Sequence, residues 1–376
     1  MTDGSVKEMC DDCKTASVCL TARKRRLCQT CFVDFVQIKI ARRMEKYRLR
    51  NAPKDRRRKL LLPLSYGVSS LSLLHFVNAL LEKQRNTGRK VTAFNLHVLV
   101  VEPSSINTAF KADPGRITRL REAYPALTCS EVPFHSVFEY DEDIGSVMEQ
   151  YAGNSFADDE SKTNEERLRL LHSALTTPTS RADVDELLLR RLIASFAKSQ
   201  GCEAILWGDS DTRLATRTLA HVAKGRGFSL PWTVSDGMSP WGIHFSFPLR
   251  DLFKSELEYY ANFTVPELRS EIGVEHSTVG NMSSRVMSID DLLTQYVETQ
   301  GEKYPGVMAN IVRTVDKLQT MPSDADLLCA FCGMPRNGKS NLEVQGLRSP
   351  GYDKNRPTCY GCTRTFLDIK PAMASS

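Results

Sequence analysis

The chain has 376 residues, of which 41% are apolar and 25% charged, with a net charge of +5 and eleven cysteines. That balance belongs to a folded globular protein with room for one large α/β domain plus small modules, or for two domains. No run approaches 18 uninterrupted apolar residues, and the charged, Cys-containing start has no apolar leader core. A membrane span is therefore excluded, and a cytosolic or nuclear protein with reduced thiols is expected.

Eight of the cysteines fall in four Cys-x-x-Cys pairs, a spacing that argues for metal. The first two pairs, Cys10/Cys13 and Cys28/Cys31, are separated by 14 residues. They supply four thiolates for a closed tetrahedral zinc site, and ligation would provide much of the folding energy of so small a segment. The competing reading is four free thiols or a redox pair. Cys19, inside the loop, is a bystander or an exchangeable ligand.

Residues 32–50 have a helical pattern, with Phe35, Ile38, Met44 and Tyr47 able to share a side. Asn51-Ala52-Pro53 breaks it. Between Ala22 and Lys59 there are 15 Lys or Arg against three acids, Asp34, Glu45 and Asp55. This density is a candidate footprint for RNA phosphates, against the plainer reading of a solvated face or a localisation signal. Arg56, Arg57, Arg58 and Lys59 lead straight into the next strand. On the sequence alone they are placed beside the loop that follows it.

That strand, Leu60 to Leu64, runs into Ser65-Tyr66-Gly67-Val68-Ser69-Ser70 and then a helix with Leu71, Leu74, Val77 and Leu81 at helical spacing. A strand turning tightly into a helix N-terminus aims backbone N–H groups and the positive end of a helix dipole at one spot, a phosphate-sized anion site. The Gly-Lys-Ser/Thr of a Walker loop is absent. The loop instead resembles the PP-loop of ATP pyrophosphatases, Ser-Gly-Gly-x-Asp-Ser. Ser65, Gly67 and Ser70 fit; Tyr66 stands for a Gly and Ser69 for the Asp.

Val91 to Val101 reads as a second buried strand, giving a parallel βαβ unit. His75 and His97 are read as structural. A helix over 115–124, a strand region over 127–138 and an exposed loop over 153–167 follow. Two helices come next, the second over about 181–200 with Val184, Leu187, Leu188, Leu192, Ile193 and Phe196 on one side. Ala204 to Trp207 is a short central strand. It ends in Gly208-Asp209-Ser210, small polar residues at a strand's carboxyl end that belong to the ligand crevice of a parallel sheet, or merely cap a helix. Arg213 and Arg217 on that helix, with Lys224 and Arg226 in the loop 224–232, suggest a second polyanion patch. A strand over 243–247, a helix over 252–260, a polar linker over 263–290 and helices over 289–297 and 307–318 complete the series.

The chain closes with Cys329/Cys332 and Cys359/Cys362, with 26 residues between the pairs. They read as a second four-cysteine zinc ribbon, with Gly333 easing the tight turn after the first knuckle. Pairing of knuckles across the two chain ends stays open at this point.

The order of zinc knuckles, basic helix, PP-loop-like turn, Gly-Asp-Ser-x-Thr-Arg-Leu-Ala, Lys-Gly-Arg-Gly-Phe-Ser-Leu-Pro, Pro-Leu-Arg-Asp and Cys-Tyr-Gly-Cys-x-Arg-Thr-Phe resembles the cytoplasmic tRNA 2-thiolation protein 2 family. The resemblance implies an α/β fold of the adenine-nucleotide α-hydrolase-like, PP-loop type: a parallel sheet flanked by helices, with four-cysteine zinc-ribbon modules at both ends. It implies a cytoplasmic heterodimer with a paralogous catalytic subunit, cytoplasmic tRNA 2-thiolation protein 1. The pair places sulfur on C2 of the wobble uridine of tRNAs for Lys, Glu and Gln. Sulfur comes from a thiocarboxylated ubiquitin-related modifier, and adenylation uses ATP and magnesium.

Against that chemistry, Tyr66 obstructs close approach of a pyrophosphate and Ser69 offers no hard carboxylate to magnesium. Only Cys129 and Cys202 remain outside the knuckle segments, and this chain has no Cys at the place after the segment matching Pro248 to Asn262 where the paralogue has its second active-site Cys. The chain thus reads as a non-catalytic, tRNA-binding subunit. Ser65, Gly67, Ser69, Ser70 and Asp209 are its degenerate nucleotide or phosphate contacts, and Arg56, Arg57, Arg58, Lys59, Arg213, Arg217, Lys224 and Arg226 its tRNA contacts. The alternatives are an active PP-loop adenylating enzyme and a zinc-ribbon RNA-binding adaptor. The expected division is a zinc knuckle over 1–35, a basic linker over 36–59, the α/β domain over 60–265, a helical linker over 266–322 and the zinc ribbon over 323–376.

Overall fold

The structure, a computed structural model, describes residues 8–87, 91–106, 112–152, 156, 161–265, 287–318, 328–335 and 358–369. An N-terminal hairpin of β1 (Leu20–Ala22) and β2 (Arg25–Leu27) leads into helix α1 (Gln29–Arg43). The hairpin turn is Arg23-Lys24, both at positive φ (49° and 70°), the conformation a two-residue turn between twisted strands demands. The strain is offset because Arg23 is docked: it bonds both carboxylate oxygens of Glu256 (2.8 and 3.0 Å) and lies 4.3 Å over the Phe253 ring.

The main sheet holds β3 (Arg58–Pro63), β4 (Phe94–Val101), β5 (Thr128–Val132), β6 (Ala204–Leu206), β7 (Gly237–Met238) and β8 (His244–Ser246), in the order β5-β4-β3-β6-β8-β7. All neighbours are parallel except β7 with β8. Helix α2 (Val68–Arg85) crosses from β3 to β4, and α3 (Arg116–Ala123) precedes β5. The chain then returns through α4 (Ile144–Ala152), α5 (Asn164–Ala174) and α6 (Pro178–Ser199) to place β6 on the other side of β3. The winding direction therefore reverses between β3 and β6, and ligand crevices of open parallel sheets lie at such a point, outside the carboxyl ends of the strands.

Alternation along the strands divides the core into two layers. Leu60, Leu62, Leu96, Val98, Val100, Ala204 and Leu206 face a cluster with α1, α2, α3 and α8 (Lys254–Thr264). Leu61, Leu99, Val101 and Ile205 face the opposite cluster. There they meet α4, α5, α6, α7 (Asp211–Ala223), α9 (Ile289–Lys303), α10 (Pro305–Val315) and α11 (Tyr360–Leu367). The two Cys-rich ends of the chain consequently sit on opposite faces of the sheet.

Several local expectations are adjusted. On α1 the buried residues are Phe32, Val36 and Ile40, and Ile38 is exposed, so the apolar stripe lies about a third of a turn from the one drawn through Phe35 and Ile38. The 127–138 region is strand only to Val132 and helical from Phe134. Within 153–167, Phe156 is buried and α5 begins at Asn164, behind a Thr163–Glu166 capping box. Most of the linker over 263–290 lies outside the described residues. Among the described residues no helix is long and apolar enough to cross a membrane.

Candidate functional site

At the switch point, loop 64–67 and the N-terminus of α2 meet the carboxyl end of β6. A Cβ on Gly208 would lie 2.7 Å from the Ser70 Cα, so only glycine lets the two segments approach this closely. Ser65 and Gly67 lie in the loop, and Ser69 and Ser70 in the first turn of α2 that follows it. Their polar groups are largely spent on one another. Ser70 Oγ donates to the Gly67 carbonyl at 3.0 Å and lies 3.2 Å from Ser65 Oγ, which accepts from the Gly67 N–H at 3.4 Å.

Tyr66 has φ +58°, the left-handed region where glycine is at ease and a bulky side chain is strained. Its ring is buried, and the Arg116 guanidinium lies 4.1 Å from the ring centroid. The turn thus takes up the left-handed conformation that glycine favours while carrying a buried aromatic side chain.

Asp209 is neither cap nor free ligand. Ser210 caps α7 by accepting from the Arg213 N–H, and Asp209 binds Arg217 at 2.6 and 3.4 Å. Burial pushes the Asp209 carboxyl up, and Arg217 outweighs it and holds the group below the usual carboxylate range.

The basic residues need two corrections. Arg56 to Lys59 stand at the amino end of β3, whereas the Ser65–Ser70 turn follows its carboxyl end, about 20 Å away along the strand. They are not beside the anion site. Arg56 and Arg58 pair with Glu203, Lys59 donates to the Gln200 carbonyl at 2.9 Å, and Arg57 is exposed. Secondly, three residues of the second patch face inward. Arg217 pairs with Asp209 and Glu186; Lys224 is fully buried against Asp183, Glu186 and Asp290; Arg226 is 1% exposed and pairs with Asp183. Such groups are structural counter-ions and have no face to offer a phosphate; Arg213 is the exposed member of the set.

The thiols divide clearly. Cys10, Cys13, Cys28 and Cys31 bring their sulfurs within 4.8 Å of one another, as do Cys329, Cys332, Cys359 and Cys362. Each set comes from one end of the chain, which settles the open question of pairing across the ends. Lys14 (φ 55°) and Gly333 (φ 68°) make the left-handed turn after the first knuckle of each set.

The donor chemistry fits a metal. Four crowded thiols cannot all ionise without a cation, and in the first set Cys13 is pushed down to about 6 by hydrogen bonds from Thr15. Cys31, hydrogen-bonded to Cys28 and partly desolvated, is pushed up to about 12. The other three thiols are not activated. Burial raises Cys19 and Cys129 and lifts Cys202 to about 11. Cys129 lies within β5, and Cys202 precedes β6 at the amino end of the sheet.

Sequence reasoning overlooked Asp183 and Glu186. Burial opposes ionisation of Asp183, but Arg226 and Lys224 hold it at about 2. Asp183, Glu186 and Arg190 form a stripe at helical spacing beside the apolar face of α6, the signal that could have marked a buried ion-pair network.

The family described as Cytoplasmic tRNA 2-thiolation protein 2 matches residues 288–348. The chain is 53% identical over 373 residues to the cytoplasmic tRNA 2-thiolation protein 2 of Coccidioides immitis (strain RS), spanning 98% of this chain and 99% of that one. It is 51% identical over 348 residues to the protein of the same name from Ajellomyces capsulatus (strain NAm1 / WU24), spanning 90% and 96%. Among solved structures, U34-tRNA thiolase NcsA from Methanococcus maripaludis, with its [4Fe-4S] cluster, superposes with a TM-score of 0.56 at 14% identity over 93% of this chain and 99% of that chain. That likeness shows a shared fold. Identity of about half across nearly the whole sequence goes further: the chain belongs to the cytoplasmic tRNA 2-thiolation protein 2 family.

Proposed function

We propose that this chain is the non-catalytic, tRNA-binding subunit of a cytoplasmic heterodimer that 2-thiolates the wobble uridine of tRNAs for Lys, Glu and Gln. The paralogous partner carries out adenylation with ATP and magnesium, and a thiocarboxylated ubiquitin-related modifier supplies sulfur. Family membership supports the role in tRNA 2-thiolation. The observation that carries the division of labour is the Ser65–Ser70 turn: Tyr66 occupies the left-handed glycine position and Ser69 the position of the metal-binding acid. The raised thiols of Cys19, Cys129 and Cys202 support the same reading, because sulfur transfer needs a thiolate.

In this reading Arg56, Arg57, Arg58, Lys59 and Arg213 meet RNA phosphates, with Arg56, Arg57 and Arg213 exposed. The loop residues Ser65, Gly67, Ser69 and Ser70 hold at most one phosphate through the α2 N-terminus. Each four-cysteine set holds one structural zinc; tetrathiolate ligation fixes the knuckles and supplies folding energy to segments with little core of their own. The expected division of the chain at 35, 59, 265 and 322 stands as our working division.

Deletion of the gene, followed by nucleoside mass spectrometry of bulk tRNA, tests the role. Loss of 2-thiouridine, restored by the wild-type chain, is expected. Unchanged 2-thiouridine would remove the proposal.

A further inference from the structure

The two four-cysteine sets differ in how their charge is met. A divalent metal with four thiolates carries a net charge of about −2, costly to bury unless neighbouring groups compensate it. In the N-terminal set Cys13 and Cys31 are half-exposed, and among the described residues no Lys or Arg donates to any of the four sulfurs. Water can share that charge.

All four C-terminal thiols are buried, Cys362 completely. Here a guanidinium enters. Arg226 Nη1 lies 3.1 Å from Cys362 Sγ and 3.9 Å from Cys359 Sγ. Its Nε and Nη2 donate to the two oxygens of Asp183 at 3.0 and 2.5 Å, and Thr365 Oγ1 donates to the same carboxylate at 2.7 Å. Asp183 is steadied in turn by Lys224 at 3.2 Å.

The knuckle is shaped to admit this side chain. A Cβ on Gly361 would lie 2.8 Å from Arg226 Cγ, and one on Gly225, at φ +73°, 2.7 Å from the Tyr360 ring. A second buried arginine, Arg191, donates to the Ala330 and Phe331 carbonyls of the other knuckle at 3.0 and 2.9 Å while paired with Asp141. Both knuckles are thus anchored to α6 and the loop after α7.

We propose that Arg226 is a charge-compensating positioning residue for the C-terminal four-cysteine centre, and that it makes this centre the slowly exchanging metal site of the chain, with the N-terminal centre the fast one. The inference rests on the reading that both sets hold a divalent metal such as zinc. Asp183 orients the guanidinium, the N–H···S contact offsets the thiolate charge, and release of the metal requires the knuckle to part from the domain core.

The test follows zinc transfer from the full chain to 4-(2-pyridylazo)resorcinol. Two phases of one equivalent each are expected, with Cys13→Ser removing the fast one. Arg226→Met should speed the slow phase by about 10- to 100-fold and Arg226→Lys by less. Gly361→Ala, which keeps every charge but displaces the guanidinium, should also speed it, and so covers the case in which Arg226→Met does not fold. In cobalt-loaded protein, Arg226→Met should shift the C-terminal thiolate-to-metal charge-transfer band. A single release phase in the wild type, or a slow phase unaltered in Arg226→Met and Gly361→Ala, would overturn the proposal with the metal reading intact. Protein that neither contains nor takes up zinc would overturn both.

Discussion

Asp209 and Arg217 close on each other across two turns of α7, at 2.6 and 3.4 Å, and so remove from the crevice both the acid and the base that the sequence offers to a ligand. Arg217→Ala should therefore act on stability, because it takes the ion-pair partner from largely buried Asp209, while Glu186 keeps Arg190 and Lys224. A loss of about 3 kcal/mol is expected for a broken buried pair. Urea unfolding measures it. A variant of wild-type stability with weakened tRNA binding would return Arg217 to the RNA-contacting set.

The exposed cations behave in the opposite way. Arg57→Ala and Arg213→Ala should leave the melting temperature within about 1 °C of wild type, as surface changes do. Each should weaken tRNA binding and lower the slope of log Kd against log salt by roughly one. Binding titrations at four salt concentrations decide it, and an unchanged slope would exclude both residues as phosphate contacts.

Gly208 holds the switch point together by having no side chain. Gly208→Ala puts a carbon 2.7 Å from the Ser70 backbone, so β6 and α2 must separate. A cost of about 1–3 kcal/mol is expected from the overpacking. Thermal melts test this; a neutral or stabilising Ala would mean that the two segments are not in contact.

Asp211, at the first position of α7, is 3% exposed. Burial, aided by Asp251 and Glu256 and opposed by Arg23 and Arg313, lifts its carboxyl to about 7. An acid raised above its unfolded value of about 4 keeps its proton in the native state while the unfolded chain has lost it, so stability falls as pH rises from about 4 to 7 and then levels. Asp211→Asn removes that penalty. Its melting temperature should match wild type near pH 4 and exceed it at pH 8, by the equivalent of roughly 2–4 kcal/mol. Parallel pH profiles for the two proteins would contradict the assignment.

The parts of this molecule written in local pattern were legible. Leu60 to Leu62 and Ala204 to Leu206 are continuous apolar runs because both faces of the sheet are covered, and such runs declare central strands. The Cys-x-x-Cys spacings declared both four-cysteine sets, and Gly333 the left-handed turn. What escaped depended on partners distant in sequence. Lys224 and Arg226 look like a surface loop until Asp183, some 40 residues earlier, and Asp290, 66 later, are brought against them. Adjacency in sequence also misplaced Arg56 to Lys59: a strand has two ends, and the charges and the anion site lie at opposite ones.

The central claim is that this chain supports thiolation without performing it. Its most direct test is tRNA 2-thiolation in vitro with this chain alone, the paralogous partner alone and the two together, with ATP, magnesium and the thiocarboxylated donor. We predict product only when the partner is present, stimulated by this chain and unaffected by Ser69→Ala. Product from this chain alone, abolished by Ser69→Ala or Ser70→Ala, would show that the Tyr66-bearing turn is catalytic and would contradict the account.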